Sequence, residues 1–390
     1  MSRDSSGNPR KFSITIVTGP WFPTPPGPPG AVERVWGDLG RHFASRGHAV
    51  TVLSRSWPGL KREEMTEGVR TVRATRWKQG RNIYLDLVKD MLFSLRMLFL
   101  APKADICVTN AFWLPALVAA FRPGAGRVVM NVQRVPKGQM WLYDRVQRLS
   151  AVSTAIAETI VAQRPSLSAA VRVIPNPVDL GFFEPPVQRE LRPGTAGRTI
   201  LFTGRIHPEK GLHLLVEAFT RLYGEFPDLK LRLVGPSTVD RGGGGLEYLT
   251  QLRALAGGTP VTIDAPIYDR GQLALALQTA SFYCYPTLAE QGEAQPVAPM
   301  EAMATGLVPV VSTIPQFRDY LTDGVDGICF DHRSADRVDH LCKALRSLIA
   351  DPDKAKRMGD LAAVGARRFG YDQVAEMYLS DFHSLLSVQP

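Results

Sequence analysis

The residues best suited to chemistry are two glutamates, Glu293 and Glu301, beside a predicted helix start. The stretch from Phe282 to Ser312 has the pattern strand, loop, helix, strand. A helix start attracts anions because its first amides are unpaired and its dipole is positive there. A carboxylate inside a helix packed between strands is costly unless it has a partner. The pair indicates a ligand site. For either residue alone, a solvated loop glutamate or a glutamate paired with a structural arginine is the simpler interpretation.

Two cations occupy a similar position earlier in the chain. Arg205 and Lys210 lie in the loop Gly204 to Gly211, between a predicted strand and a helix that starts at Leu212. A cation near a helix start is disfavoured by ~0.3–1 kcal/mol, so two of them favour an anion bound between them and the helix. Arginine offers a fork for phosphate oxygens and lysine a point charge. The alternative is that Glu209 or solvent satisfies both.

These motifs resemble those of retaining glycosyltransferases of family 4, which have the GT-B fold. The resemblance rests on Glu293 and Glu301 with seven residues between them, and on Gly-Arg followed by Lys-Gly at 204–211. It covers most of the chain from about residue 12. It implies an α/β protein with two Rossmann-like, doubly wound parallel-sheet domains that face each other across a cleft. The expected boundaries are a disordered tail (1–11), an acceptor-binding domain (12–185), a nucleotide-sugar-binding domain (186–372) and a helix that crosses back to the first domain (373–390).

The resemblance also implies residue roles. Arg205 and Lys210 would bind the donor diphosphate and offset its charge as it leaves, while Glu293 would hold hydroxyls of the donor sugar, which makes these three the expected catalytic residues. Glu301 would hold the nucleotide ribose. The other expected donor-binding residues are Gly30, Gly204, Pro266, Ile267, Ala294, Gln295 and Val297. Asn110 and Gln133, which end two predicted strands, are candidates for the acceptor or sugar side.

The sequence departs from the family pattern at four positions. Ala31 replaces the second glycine before the first helix, and Ala265 replaces a glycine near the base pocket. Gln133 stands where the family often has a histidine, and glutamine cannot act as a base. Pro296 has no N–H to give to a phosphate. These departures motivate the alternative of a degenerate homologue that binds a nucleotide or a partner protein without turnover.

The elements that must position these residues follow an alternating pattern. Phe12 to Thr18 predicts a buried strand, Val32 to Arg46 a helix and His48 to Ser54 a second strand, which is the opening of a doubly wound sheet. The same pattern restarts at Thr199. The amphipathic segment from Ile83 to Leu100 is predicted to be a core helix; a patch that touches lipid is the alternative.

Composition limits the partners and the compartment. The net charge of +9 suggests phosphates, a nucleotide sugar or an anionic membrane surface, and no motif indicates nucleic acid. The four cysteines are unpaired in pattern, which favours a reducing compartment. No signal peptide and no apolar run of ~18 residues is visible. We therefore expect a cytoplasmic protein, with peripheral association at the cytoplasmic face of a membrane as a further expectation.

The sequence thus predicts a retaining hexosyltransferase that uses a nucleoside diphosphate sugar, with UDP preferred over GDP. The expected acceptor is a hydroxyl of a saccharide, a lipid-linked saccharide or a small molecule, as in glycan, glycolipid or glycoside synthesis. No Asp-x-Asp motif ends a strand and no His/Cys cluster has metal-ligand spacing, so we expect catalysis without a metal or other cofactor. A sugar-nucleotide epimerase of the same fold is the alternative enzyme.

Overall fold

The computed structural model describes residues 11–24, 30–75, 77–80, 82–186 and 198–387. The chain forms two compact units: unit 1 is Met1–Pro177 with Tyr371–Pro390, and unit 2 is Val178–Gly370. The sequence places these boundaries at 185/186 and 372/373 instead. The first one falls earlier because the Val178 amide donates to the Phe369 carbonyl at 2.7 Å and Phe183 is buried in the core of unit 2. The predicted tail, apart from Lys11, lies outside the described residues.

Unit 1 is built on one sheet with helices packed against it. Its strands are β1 (Ser13–Val17), β2 (Ala49–Arg55), β3 (Glu63–Thr66), β4 (Val69–Ala74), β5 (Ile106–Thr109), β6 (Arg127–Val132), β7 (Arg148–Ala151) and β8 (Val171–Val173). Its helices are α1 (Ala31–Ser45), α2 (Ile83–Leu100), α3 (Leu114–Phe121), α4 (Thr154–Gln163) and, at the other end of the chain, α11 (Tyr371–Ser387).

The strand order in this sheet is β3-β4-β2-β1-β5-β6-β7-β8, and only the β3–β4 pair is antiparallel among the described strands. Apolar residues of α1 recur every three or four positions, at Trp36, Leu39 and Phe43, and all three are fully buried. They pack against β1 and against α11, where the Trp36 and Tyr378 rings lie 5.0 Å apart. The last helix therefore completes the core of unit 1.

Unit 2 repeats this architecture. Its strands are β9 (Thr199–Thr203), β10 (Lys230–Val234), β11 (Val261–Asp264), β12 (Phe282–Tyr285), β13 (Pro309–Ser312) and β14 (Ile328–Phe330). Its helices are α5 (Leu212–Tyr223), α6 (Gly245–Ala256), α7 (Arg270–Thr279), α8 (Val297–Ala304), α9 (Arg337–Ile349) and α10 (Pro352–Ala366). The described strands are all parallel, in the order β11-β10-β9-β12-β13-β14. The prediction of two parallel-sheet α/β units is confirmed.

One predicted core element differs from expectation. The helix α2 has the predicted bounds, but it is not a core helix on all sides, because Tyr84, Leu85, Val88, Leu92, Leu95 and Phe99 are exposed. Its buried side includes two aspartates and a serine. Packing in the core therefore accounts for only some of the apolar residues of α2.

Candidate active site

The predicted site residues of unit 2 follow strands whose carboxyl ends share one edge of the sheet. The central strand β9 pairs with β10 on one side and with β12 on the other, so the order of the chain reverses between β9 and β12. Ligands of open parallel sheets bind at such a switch point. The loop 204–211 follows β9 and the loop 286–296 follows β12. The topology thus brings Lys210 and Glu293 to the same place.

At this switch point, Lys210 and Glu293 form a buried ion pair. The Lys210 ammonium donates to Oε1 of Glu293, and the two residues are only 5% and 7% exposed. The same oxygen accepts hydrogen bonds from the Tyr285 hydroxyl and from Oγ1 of Thr287, both at 3.0 Å. A buried carboxylate needs such donors. Glu293 is therefore a partnered, buried residue and not a solvated loop glutamate.

The ammonium of Lys210 has two further neighbours. Its Nζ lies 5.5 Å from the centre of the Tyr285 ring and 3.9 Å from Oε1 of Glu209. Burial, followed by the charge of Glu293, raises the pKa of Tyr285 well above its ordinary value, so the phenol keeps its proton and donates it. The sequence did not single out Tyr285 or Thr287; their signal was their position just before the loop that carries Glu293.

Arg205 lies on the same loop as Lys210 but is half-exposed. Its Nη1 donates to the carbonyl of Gly242 at 2.9 Å, and its Nη2 donates to the carboxylate of Glu209. The alternative that Glu209 satisfies both cations holds for Arg205 only, because the main partner of Lys210 is Glu293. An exposed ion pair of this kind is weak, so the guanidinium can be turned toward a ligand at small cost.

The two loops are fixed to each other by backbone contacts. The Leu288 amide donates to the Glu209 carbonyl at 2.7 Å. Gly211 has a positive φ of 67°, and a Cβ built on it would lie 2.0 Å from the carbonyl oxygen of Pro286. Only glycine permits this approach. The spacing of Lys210 and Glu293 thus depends on a rigid contact between their loops.

The helix starts near the site offer fewer amides than expected. At α5, the His213 amide already donates to the Tyr248 hydroxyl at 3.2 Å, so it is not free for an anion. Pro296 is the residue directly before α8. Pro299 lies in the first turn of α8, so Pro296 and Pro299 both remove a donor there. Side-chain cations must therefore supply most of the positive charge.

Four further residues expected to bind the donor lie just before α8 or within it. Gln295 is buried, and Ala294, Val297 and Glu301 are half-buried along the start and middle of α8. The charge of Glu301 adds to the effect of burial in raising the pKa of Tyr283, whose hydroxyl lies 3.0 Å from Oγ1 of Thr203 at the end of β9. Glu301 therefore lies near the end of β9.

Three expected residues lie further along the same edge. Gly204 follows β9, and a Cβ on the neighbouring Gly235 would lie 1.7 Å from the Gly204 carbonyl oxygen, so these two turns are in close contact. Pro266 and Ile267 are half-buried and follow β11, which is separated from β9 by β10. They share the edge with Lys210 and Glu293 but do not belong to the ion-pair cluster.

Unit 1 has its own switch point, between β1 and β5. Asn110 follows β5, and its Nδ2 donates to the Val17 carbonyl at 3.2 Å. Gln133 follows β6, and its Nε2 donates to Oδ1 of Asn176 at 2.7 Å. Gly30 precedes α1. Asn110 and Gln133 therefore offer side-chain amides, rather than acid or base groups, at one edge of the unit 1 sheet.

A buried carboxyl group, Glu33, lies at this second edge and was not assigned a role from the sequence. It is the third residue of α1, and its side chain folds back over Gly30, where a Cβ would meet Oε2 at 2.7 Å. Burial raises the pKa of Glu33 to about 7, although its own backbone and Arg134 act in the opposite direction. An acidic residue three positions after a helix-starting glycine was the available signal.

Among the described residues there is neither a cluster suited to a metal ion nor a helix suited to span a membrane. In those ranges, no group of three or more His, Cys, Asp or Glu side chains could hold a metal ion. Asp351, part of an Asp-Pro-Asp sequence, caps α10, because its Oδ1 accepts the Lys354 amide at 2.8 Å. Likewise, no described helix has both the length and the apolar character needed to cross a bilayer.

Comparison with known families matches nearly the whole chain. Residues 32–182 match the family described as Glycosyltransferase Family 4, and residues 187–363 match Glycosyl transferases group 1. The chain is 28% identical over 254 residues to a D-inositol 3-phosphate glycosyltransferase of Kribbella flavida, covering 63% of this chain and 58% of the relative. It is 32% identical over 211 residues to a phosphatidyl-myo-inositol mannosyltransferase of Mycolicibacterium smegmatis, covering 54% and 50%. The match thus spans little more than half of these curated relatives.

Solved structures show the same fold. A sucrose-phosphate synthase from Thermosynechococcus elongatus aligns with a TM-score of 0.78 at 18% identity, covering 97% of this chain and 100% of the other. The HepE protein of Anabaena in complex with UDP and glucose aligns with a TM-score of 0.71 at 14% identity, covering 96% and 100%. At such identities the likeness concerns the fold alone.

Proposed function

Because the chain belongs to the glycosyltransferases of the GT-B fold, with a family 4 domain followed by a group 1 domain, we propose that it transfers a hexose from a nucleoside diphosphate sugar to an acceptor hydroxyl, with retention of configuration and without a metal ion. One observation carries this proposal: a buried Lys210–Glu293 pair lies at the switch point of unit 2, with Arg205 on the same loop. A cation held there can face the diphosphate of a donor.

On the donor side, Arg205 and Lys210 bind the diphosphate. Negative charge grows on the leaving phosphate oxygen in the transition state, and both cations stabilise it more there than in the ground state. Glu293 accepts hydrogen bonds from hydroxyls of the transferred sugar, and Glu301 from the ribose. The proline pair at the start of α8 leaves this work mainly to the two cations.

The proposed reaction breaks the bond between C1 of the sugar and the phosphate oxygen, and the electron pair goes to that oxygen. The acceptor hydroxyl attacks C1 from the same face, and its proton passes to the leaving phosphate oxygen. The products are a glycoside and a nucleoside diphosphate. Asn110 and Gln133 donate hydrogen bonds to acceptor or sugar hydroxyls, since amides can orient a hydroxyl without taking its proton.

The donor and acceptor classes are also proposals. UDP is preferred as the nucleotide, in keeping with the HepE complexes with UDP and UDP-glucose. Both curated relatives are named for an inositol that bears phosphate. A phosphorylated polyol or its lipid would suit the net charge of +9. We place the reaction at the cytoplasmic side, with peripheral contact to the membrane.

A second mechanism would use Glu33, a carboxyl that is buried against Gly30 at the edge of the unit 1 sheet and whose pKa is raised by burial to about 7. A group with this pKa is suited to act as a general base at neutral pH. It would let an acceptor attack from the opposite face, and the product would then be inverted. The fold over Gly30 gives Glu33 a structural role as well, so the stereochemistry must decide.

The test is a screen of UDP-glucose, UDP-N-acetylglucosamine, UDP-galactose and GDP-mannose for slow hydrolysis, then for transfer to inositol 3-phosphate and to phosphatidylinositol. Proton NMR of the product gives the anomeric configuration, and a parallel reaction contains EDTA. We expect retention and full activity with EDTA. Lys210→Ala should lower turnover ~10²–10³-fold, whereas the matched control Lys356→Ala, at an exposed lysine, should leave it unchanged. No turnover of any donor would support the degenerate homologue, and an inverted product would favour Glu33 as base.

A further inference from the structure

The helix α2 buries one face and leaves an apolar stripe exposed on the other. Its buried residues are the polar Asp86, Asp90 and Ser94 and the apolar Phe93, Met97 and Leu98. Its outward face is apolar and strongly exposed, with Tyr84 at 77% and Phe99 at 73%. The exposed apolar side chains are Tyr84, Leu85, Val88, Leu92, Leu95 and Phe99. Their spacing of three and four residues places them in one stripe along the helix, which is ~27 Å long.

The inward polar residues explain why the helix is held in this orientation. Asp90 accepts the amides of Phe112 and Trp113 at 3.1 Å, just before α3 begins. Asp86 accepts the amide of Gly80 at 2.8 Å. Turning the apolar stripe inward would strip both carboxylates of these donors, at a cost that burial of the stripe would have to exceed. The exposed stripe is thus a fixed feature of unit 1.

The stripe is continued by an exposed aromatic side chain and accompanied by exposed cations. Phe121, the last residue of α3, is 72% exposed and lies at the same end as Phe99, because Arg122 donates to the Ala101 carbonyl at 2.9 Å. Three cations are exposed in this segment: Arg96 lies on α2 beside the stripe, and Lys78 and Lys103 come shortly before and after the helix in the chain. The acidic residues of α2 are Asp86 and Asp90, and both are buried. The outward face of α2 therefore combines apolar and positive side chains, and neither acidic residue of this described helix is exposed there.

We propose that this outward face of α2, extended by Phe121, is the surface on which unit 1 lies on an anionic lipid bilayer. The apolar stripe enters the boundary between headgroups and acyl chains, with the helix parallel to the membrane plane, and the exposed cations meet lipid phosphates. Trp77, which is exposed next to Lys78, adds an aromatic ring of the kind enriched at this boundary. If the proposed transfer is correct, on which this step rests, the acceptor is a membrane-borne lipid.

A bilayer fits the charges better than a second copy of the chain. Two copies packed stripe to stripe would each bring an exposed Arg96 to the interface, and each copy carries a net charge of +9. Like charges at an interface are unfavourable, whereas anionic headgroups neutralise them. The stripe alone would suit either occupant; the exposed cations favour the lipid.

The test is flotation of the full chain with extruded vesicles, one set of phosphatidylcholine and one of equal parts phosphatidylcholine and phosphatidylglycerol. The test variant is Leu92→Ser with Phe99→Ser. The matched control is Leu361→Ser with Val364→Ser, which removes two exposed apolar side chains from α10. We expect binding to the anionic vesicles that weakens about tenfold or more in the test variant and is unchanged in the control. Arg96→Glu should weaken binding to anionic vesicles only.

Two results would overturn the proposal. One is no flotation of the unaltered chain, or equal flotation of the Leu92/Phe99 variant. The other is a concentration-dependent dimer in light scattering that the Leu92/Phe99 variant abolishes, without vesicle binding, which assigns the stripe to a second copy. Hydrolysis of the nucleotide sugar is measured without vesicles. The transferase proposal and the membrane proposal can therefore fail independently of each other.

Discussion

Breaking the Lys210–Glu293 pair from either side should have unequal effects on the stability of unit 2. Breaking a buried pair costs ~3–5 kcal/mol when the remaining charge has no other partner. In Lys210→Met, Glu293 keeps the Tyr285 and Thr287 hydroxyls at 3.0 Å, which reduces the loss to about 3 kcal/mol. In Glu293→Gln, Lys210 keeps the Tyr285 ring and Glu209 at 3.9 Å, and the loss should be about 1–2 kcal/mol.

The double variant separates stability from catalysis. With both charges removed, no unpaired buried charge remains. The double variant should therefore lose about 1–2 kcal/mol less free energy of unfolding than the two single variants lose in sum. Turnover should stay ~10²–10³-fold low in every variant that lacks Lys210, because a neutral side chain cannot stabilise the leaving diphosphate. The affinity for nucleoside diphosphate should fall less than turnover does.

The tryptophans provide an internal control for this measurement. All six lie between residues 21 and 141, within unit 1. Denaturant unfolding followed by tryptophan fluorescence therefore reports on unit 1, and far-ultraviolet circular dichroism also reports on unit 2. The variants should shift the transition of unit 2 and leave the fluorescence transition in place. Strict additivity of the two single losses, or normal turnover in Lys210→Met, would refute the reasoning.

Three further predictions follow from the two sheet edges. Glu209→Gln releases Arg205 from an exposed ion pair, so isothermal titration should show nucleoside diphosphate binding up to about fivefold tighter; weaker binding would mean that Glu209 helps to hold the ligand. Gly211→Ala should destabilise unit 2 by ~2 kcal/mol or more and lower turnover, whereas Gly258→Ala, also at positive φ but with open space for its Cβ, should cost ~1 kcal/mol. Because the pKa of Glu33 is raised from 4.5 to about 7, the folded state retains a proton in that window and stability falls as pH rises, by about 3 kcal/mol in all. In Glu33→Gln the fluorescence transition should lose this pH dependence, and an unchanged pH profile would contradict the burial argument.

Much of the fold followed from sequence periodicity, because parallel buried strands alternate with amphipathic helices in both halves. The expectation that Arg205, Lys210 and Glu293 share a site rested on the family resemblance, and these residues do follow strands of one parallel sheet. The ion-pair partner of each cation could not be predicted from the sequence. Lys210 pairs with Glu293, far along the chain, while Glu209, its neighbour in sequence, pairs mainly with Arg205. The partner depends on the direction in which each side chain projects from the loop.

The errors of the sequence reading have physical causes. The prediction of a core helix over α2 counted apolar residues and did not weigh that Asp86, Asp90 and Ser94 share one face, which is the face that packs inward. The domain boundary was placed at the proline-rich stretch near residue 186, whereas the backbone contact of Val178 with Phe369 sets it earlier. The roles of the individual site residues stay predictions.

The division of unit 1 between the two ends of the chain has a consequence for biosynthesis. The core of unit 1 includes Tyr378 and Phe382 of α11, which pack on Trp36 and Phe43 of α1. A ribosome-bound nascent chain lacks this last helix until unit 2 has been translated, so the first-made part of unit 1 must wait with an open apolar surface while unit 2 is already able to fold. Chaperone demand should therefore concentrate on the first half during synthesis.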